Sequence, residues 1–399
     1  MSGQRPSNDQ EDNRVTTDPS GPGSVLDGES LLRSIATAVV LLSRRQAPGD
    51  PVYEDGVQRA YNQLVLRCLR LGTEPPASVP DMVRWAARTP LGEWPADFTA
   101  AQADDAEFLV DDATRTPTQC CLEWAMDVAD APAELFENMV IEEALVACRS
   151  AQSPGSYTAF RKLLITKPVL TVADLAALAA DIDLMPVFET IRRSYEPAPA
   201  AYLRDGTYRL CGRCGCLLVP LNWGGYRCEL DRCRSDGGSS LGAAVPAQTG
   251  ILQLRRPLRV FITSPGIAET DLETALRSLG LAPEMWPQFD SYDLRVPLPD
   301  GTVWAVDVKD WANPSLLGRG TQPLRAEPRY DKAFIVIPSY RFRVREDYTR
   351  VFRHHLPSEV KGLIDVCSDT EFTARVRREL GRTRRRGAAT AGNEENTHA

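Results

Sequence analysis

Apolar residues recur at helical spacing through the first half of the chain and at strand spacing in much of the second. Val57, Tyr61, Leu64, Val65, Cys68 and Leu69 repeat every three or four positions. Leu135, Phe136, Met139 and Val140 open a similar stripe that ends near Cys148. The longest apolar run, Ile35 to Leu42, is amphipathic helix material and falls far short of the ~20 residues that cross a bilayer. Thr171 with Asp174 has the form of a helix start ahead of Val172, Leu175, Leu178 and Ile182. Residues 30–200 therefore read as an all-α N-terminal domain, a helical interaction module without a catalytic constellation. Residues 251–380 change to short strands between helices, predicting an α/β C-terminal domain. A compact cysteine-rich module (205–236) and a Gly, Ser and Ala linker (237–250) separate the two, so the fold class is multidomain. The polar residues 1–29 and the basic residues 381–399 read as disordered tails.

Composition narrows the function classes. The chain has 399 residues, 43% of them hydrophobic, and a net charge of −8, which suits a globular protein and excludes a wholly disordered one. No signal-peptide core is evident, so a cytoplasmic protein with no membrane role is expected. Ten cysteines in that setting point to reduced thiols or metal ligands. Cys68, Cys120, Cys121 and Cys148, set among apolar neighbours, read as small buried hydrophobes. The three histidines, His354, His355 and His398, argue against a His-based triad or a His-rich zinc hydrolase. Residues 1–200 hold 30 acidic and 17 basic side chains, a net of −13, whereas residues 201–399 hold 24 and 29, a net of +5. Any nucleic-acid contact is thus expected in the second half, although uneven partition between domains would give the same figures.

The strongest motif is the cysteine cluster. Cys211-x2-Cys214 and Cys228-x4-Cys233 form two knuckles separated by 13 residues, within reach of one tetrahedral Zn²⁺. Four thiolates fill the coordination sphere, so the expected site is a structural zinc ribbon. A redox role for Cys211 and Cys214 would leave the second pair unexplained. Cys216 is expected to be the spare thiol, with displacement of Cys214 as the alternative.

The segment from Asp290 to Trp311 carries the candidate chemistry. Pro299-Asp300-Gly301 predicts a hairpin turn, and a three-residue loop between Leu298 and Thr302 sets Asp293 across from Asp307. Alternation puts Leu294, Val296, Leu298, Trp304, Val306 and Val308 on one apolar face, and Asp293, Arg295, Asp307 and Lys309 on the other. Opposed like charges are unfavourable unless a cation lies between them, so this face is a candidate divalent-metal site.

Asp293 followed by Asp307-Val308-Lys309, with a helix near Glu269–Leu279 before it and strands at Ala333–Ile337 and Gly362–Cys367 after it, resembles the core of the PD-(D/E)xK restriction-endonuclease-like superfamily. The resemblance covers roughly residues 255–370. It departs at Tyr292, where the pattern has proline, and lacks a Gln-containing motif on a helix after Lys309. It implies Mg²⁺-dependent phosphodiester hydrolysis, with Asp293, Asp307 and the Val308 carbonyl as metal ligands and Lys309 orienting water or stabilising charge. Glu269 or Glu273 would be a third carboxylate, although solvated helix acids are the plainer reading. More narrowly, the helical front, the ribbon and "YDL…WAVDVKDW" resemble the nuclease component of prokaryotic PIWI-RE conflict systems. That likeness implies DNA, a PIWI-type protein and a DinG-type helicase as partners. Arg341, Arg343 and Arg345, interleaved with aromatic residues, are candidate DNA contacts, or the solvated face of an amphipathic helix. The alternative function is a non-catalytic, nucleic-acid-binding zinc-ribbon adaptor with a degenerate nuclease fold.

Overall fold

The computed structural model describes residues 27–43, 53–99, 101–126, 132–235, 237–238 and 240–395. Most of the N-terminal tail expected over 1–29 lies outside these residues. At its end, the Asp27 carboxylate accepts from the Ser30 amide (2.8 Å) and caps α1 (Gly28–Leu42). α1 packs against α2 (Asp55–Leu71), whose Val57, Ala60, Leu64 and Cys68 are buried; Tyr61 and Val65 are half-buried and Leu69 is exposed. α3 (Val79–Arg88), a short hairpin of β1 (Val110–Asp111) and β2 (Thr116–Pro117), and α4 (Gln119–Met126) follow. α5 (Pro132–Ser150) and α6 (Pro154–Thr166) complete the helical front. Thr171 and Asp174 form a reciprocal capping box at the start of helix Val172–Leu178.

This front is not wholly helical. β3 (Val169–Thr171) and β4 (Tyr195–Pro197) lie within it. The cysteine module is built from β5 (Thr207–Cys211), the antiparallel pair β6 (Val219–Pro220) and β7 (Tyr226–Arg227), helix Asp231–Ser235, and β8 (Leu241–Pro246). β8 corrects the expected linker over 237–250, because it pairs antiparallel with β5 and closes the module. Its Gly and Ala content signals a loop in sequence. In space, a Cβ at Gly242 would stand 3.0 Å from both the Gly212 amide and the Leu210 carbonyl, so the small residue serves close strand approach. β9 (Ile251–Leu254) then pairs with both β3 and β4, stitching the front half to the C-terminal half.

A continuous helical run follows: Arg256–Leu258, a π-turn at Arg259–Thr263, then helix Ser264–Ser278. The main sheet has the order β10 (Glu284–Met285), β11 (Leu294–Pro297), β12 (Val303–Val308), β13 (Lys332–Ile337), β14 (Ile364–Ser368). β10 to β12 are antiparallel, and β12 to β14 run parallel. Helix Pro314–Gly320 follows β12, helices Ser339–Val344 and Tyr348–His355 follow β13, and helix Asp369–Glu395 follows β14. Over residues 381–395 that last helix corrects the disordered tail expected over 381–399; residues 396–399 lie outside the described residues. The helix continues to Glu395, its Arg and Ala residues favouring it and Gly381, Gly387 and Gly392 opposing it.

The predicted hairpin register is the observed one. Leu294 pairs with Val306, Val296 with Trp304, and Pro297 with Val303. Gly301 takes the left-handed conformation (φ +90°) that the turn requires. Leu294, Val296, Leu298, Trp304, Val306 and Val308 are all buried, in one core shared with Val140, Cys148, Phe160 and Leu164 from α5 and α6. Composition shifts mark changes of segment along the chain, but they do not reveal that the front helices and the C-terminal sheet fill a common core. Among the described residues, no helix is long and apolar enough to cross a membrane.

Candidate functional site

The hairpin's polar face opens onto a cleft of about 610 Å³. Its walls include Glu269 from helix Ser264–Ser278, Asp290 and Asp293 from the approach to β11, and Asp307 to Asp310 from the end of β12. The registered pairing of Leu294 with Val306, carried one residue further, brings Asp293 opposite Asp307. Asp293 is buried, and its Oδ2 accepts from the Val308 amide (2.6 Å). Lys309 Nζ lies 2.9 Å from Asp307 Oδ2. Burial, then the nearby Glu269 and Asp307 carboxylates, hold the Asp293 carboxyl well above its usual range despite Lys309. Burial alone would lower the Lys309 ammonium, but Asp307 and Asp293 outweigh it and raise its pKa. Among the described residues no His or Cys lines the cleft, and its carboxylate and carbonyl oxygens suit a hard cation.

Glu269 and Glu273 part ways. Glu273 pairs with Arg277 on its own helix, whereas Glu269 is buried in the cleft wall. It accepts from Trp286 Nε1 (2.6 Å) and from Arg161 (3.2 Å), a residue of α6 that sequence reasoning passed over. Arg161 stands more than a hundred positions from Glu269, so no local pattern announces the contact. The cleft also takes Gln322 and Arg325 from the loop after helix Pro314–Gly320. Gln322 is in a loop, where a search for a helix-borne motif would not find it.

The arginines placed as DNA contacts must be revised. Arg341 is buried, with Nε 2.7 Å from Asp310 Oδ1 and another guanidinium nitrogen 2.7 Å from Gln119 Oε1. Arg345 is turned inward to Asp347 Oδ1 (2.9 Å) and the Gln102 carbonyl (2.8 Å). Only Arg343 of the three is exposed. Helix Ser339–Val344 is short and turns Arg341 inward, onto the buried Asp310 and onto Gln119 of the front half.

The four predicted thiolates, Cys211, Cys214, Cys228 and Cys233, converge, with all Sγ atoms within 4.8 Å of one another and each residue buried. Cys214 and Cys228 Sγ are 3.6 Å apart, close to the ~3.8 Å between ligands of a tetrahedral site with ~2.3 Å bonds. Hydrogen bonds from the other three thiols favour the Cys211 thiolate. Cys216 is buried but outside the group; its carbonyl accepts from the Cys211 amide (2.7 Å). The donor set can bind zinc. Among the described residues this is the only convergence of three or more such side chains; the cleft carboxylates do not form one.

Residues 31–171 match the family described as the pPIWI_RE three-gene island domain Y, and residues 266–384 match the REase associating with pPIWI_RE. The chain joins a pPIWI_RE domain Y to a pPIWI_RE-associated REase domain. The REase match encloses Asp293, Asp307 and Lys309, and the domain Y match encloses Arg161. The C-terminal region is therefore nuclease-like, in a protein of the pPIWI_RE system. No curated protein and no solved structure matches the chain.

Proposed function

We propose that this chain is a Mg²⁺-dependent DNA endonuclease of a prokaryotic anti-invader system, hydrolysing phosphodiester bonds in the cytoplasm alongside a PIWI-type protein and a DinG-type helicase. The observation that carries the reading is the hairpin: its register sets Asp293 against Asp307, with Lys309 beside them, in a cleft inside the REase match. Asp293, Asp307 and the Val308 carbonyl would hold the ion. When bound, the metal supplies Lewis-acid polarisation of the scissile phosphate and a more acidic water. Lys309, held charged by Asp307, orients the attacking water or stabilises negative charge developing on the phosphate. The exposed Arg325 at the cleft wall suits contact with a neighbouring phosphate, a role that Arg341 and Arg345 are too engaged to fill.

Purified full-length protein, alone and assembled with its partner proteins, is expected to cut DNA with Mg²⁺ or Mn²⁺. Asp307→Ala and Lys309→Ala should each lower the rate by at least about 100-fold. Among the described residues no three cleft carboxylates converge as metal ligands would, which favours the second reading, a nucleic-acid-binding adaptor with a degenerate site. DNA left intact in complete reactions across single-stranded, double-stranded and branched substrates would establish that reading instead. The cysteine module is proposed to be a structural zinc ribbon, with Cys211, Cys214, Cys228 and Cys233 as ligands. Metal analysis should find one zinc per chain, lost in Cys211→Ser/Cys228→Ser, while a zinc-free wild type would remove it.

A further inference from the structure

Arg161 enters the cleft from the helical front, and its surroundings suit neither a bystander nor an ordinary surface pair. Its side chain is only 8% exposed and spans two acids of the cleft wall. One guanidinium nitrogen lies 3.2 and 3.3 Å from the two Glu269 carboxylate oxygens, and another lies 3.9 Å from Asp290 Oδ2. The guanidinium carbon sits 5.4 Å from the centre of the Trp286 ring, whose Nε1 donates to the same Glu269. Tyr157, one turn earlier on α6, donates its hydroxyl to Asp290 Oδ2 (2.7 Å). Arg161 Nε is buried without a hydrogen-bond partner.

The stretch that α6 holds is strained. Trp286, Gln288, Phe289 and Asp290 all have positive φ, between 47° and 68°, although none is glycine. Such a turn persists only where its surroundings fix it, and its far end delivers Asp293 three residues later. Charge balance points the same way. With the exposed Arg325 and the Asp310–Arg341 pair set aside, Glu269, Asp290, Asp293 and Asp307 face Arg161 and Lys309. Four acids against two cations leave an excess matching one divalent ion. Without Arg161, Glu269 and Asp290 would compete with Asp293 and Asp307 for that ion.

We propose that Arg161 is a positioning residue supplied by domain Y to the REase cleft: it engages Glu269 and Asp290 and offsets one of their two charges, so that a divalent cation is held by Asp293 and Asp307. The inference rests on the metal-site reading above and adds that the cleft is incomplete without α6.

The test is Mn²⁺ binding to the zinc-loaded full chain, followed by calorimetry and by the electron paramagnetic resonance spectrum of the bound ion. Arg161→Met should bind Mn²⁺ at least about tenfold more tightly, since a nearby cation has been removed from a weakly screened site, and with an altered spectrum. Adding Glu269→Gln should return the affinity to within about threefold of wild type, and Arg161→Lys should retain wild-type affinity. Unchanged affinity and spectrum in Arg161→Met overturn the inference while leaving the metal site standing. A wild type that binds no Mn²⁺ overturns the metal-site reading and this inference with it. If Arg161→Met does not fold, Glu269→Gln is compared with Arg161→Met/Glu269→Gln, which removes both buried charges. The single variant, whose arginine keeps only the 3.9 Å contact with Asp290, should bind about tenfold more weakly than the double; equal affinities overturn the inference.

Discussion

Asp293 is costly to bury: its carboxylate faces Glu269 and Asp307, and one of its oxygens takes a main-chain N–H from Val308. A residue retained for packing alone would be better as asparagine, which accepts the same hydrogen bond without the repulsion. Asp293→Asn is therefore expected to stabilise the zinc-loaded protein in Mg²⁺-free buffer, by roughly 1 kcal/mol or a few degrees in Tm, while abolishing cleavage. Thermal melting checks this, and a lower Tm would mean that the carboxylate has a structural partner. Lys309 is the counterweight, since its ion pair with Asp307 keeps one charge of the cluster compensated.

At the scale of elements, the β11–β12 hairpin sets the site because its two faces do different work. Trp304 lies 4.9 Å from Phe334 and 5.8 Å from Phe372, ring centre to ring centre, clamping β12 between β13 and the last helix. Trp304→Ala should cost about 3–5 kcal/mol and lower Tm markedly; a loss within ~1 kcal/mol would show that the hairpin is held from elsewhere. This element was legible in sequence because strand alternation and the Pro-Asp-Gly turn are local signals, and together they fix the register. The cysteine knuckles were legible for the same reason. Arg161, Gln322 and the inward turn of Arg341 were not, because their meaning depends on which distant face they meet. Gly242 misled in the opposite sense: small residues that look like a linker let β8 lie close to the start of the knuckle.

Over the whole molecule, Glu123 shows why domain Y and the REase domain behave as one body. It is a buried acid on α4 whose Oε1 accepts from the Ala312 amide (2.7 Å) and from Gln119 Nε2 (2.9 Å), and whose Oε2 accepts from the Asn313 amide (2.8 Å). Those amides belong to the strand exit just after Lys309, so α4 grips the chain beside the cleft. Arg341 completes the interlock, bridging Asp310, Gln119 and Asp231 of the cysteine module (3.2 Å). Burial pushes the Glu123 carboxyl up to about 7, against the pull of Arg341 and the two amides. The folded protein thus keeps a proton on Glu123 between its ordinary value of 4.5 and about 7, where the unfolded chain has released it. With more protons bound folded than unfolded, stability falls as pH rises through that window, by on the order of 3 kcal/mol for this group. Glu107, also raised to about 7 by burial, adds a slope of the same sign that persists when Glu123 is replaced. Glu123→Gln should therefore be less stable than wild type at pH 5.5, having lost one amide acceptor. Its denaturation midpoint should then decline less between pH 5.5 and 8, so that the two proteins converge. Urea denaturation of both across that range measures the difference directly, and parallel pH profiles would show that Glu123 is ionised throughout.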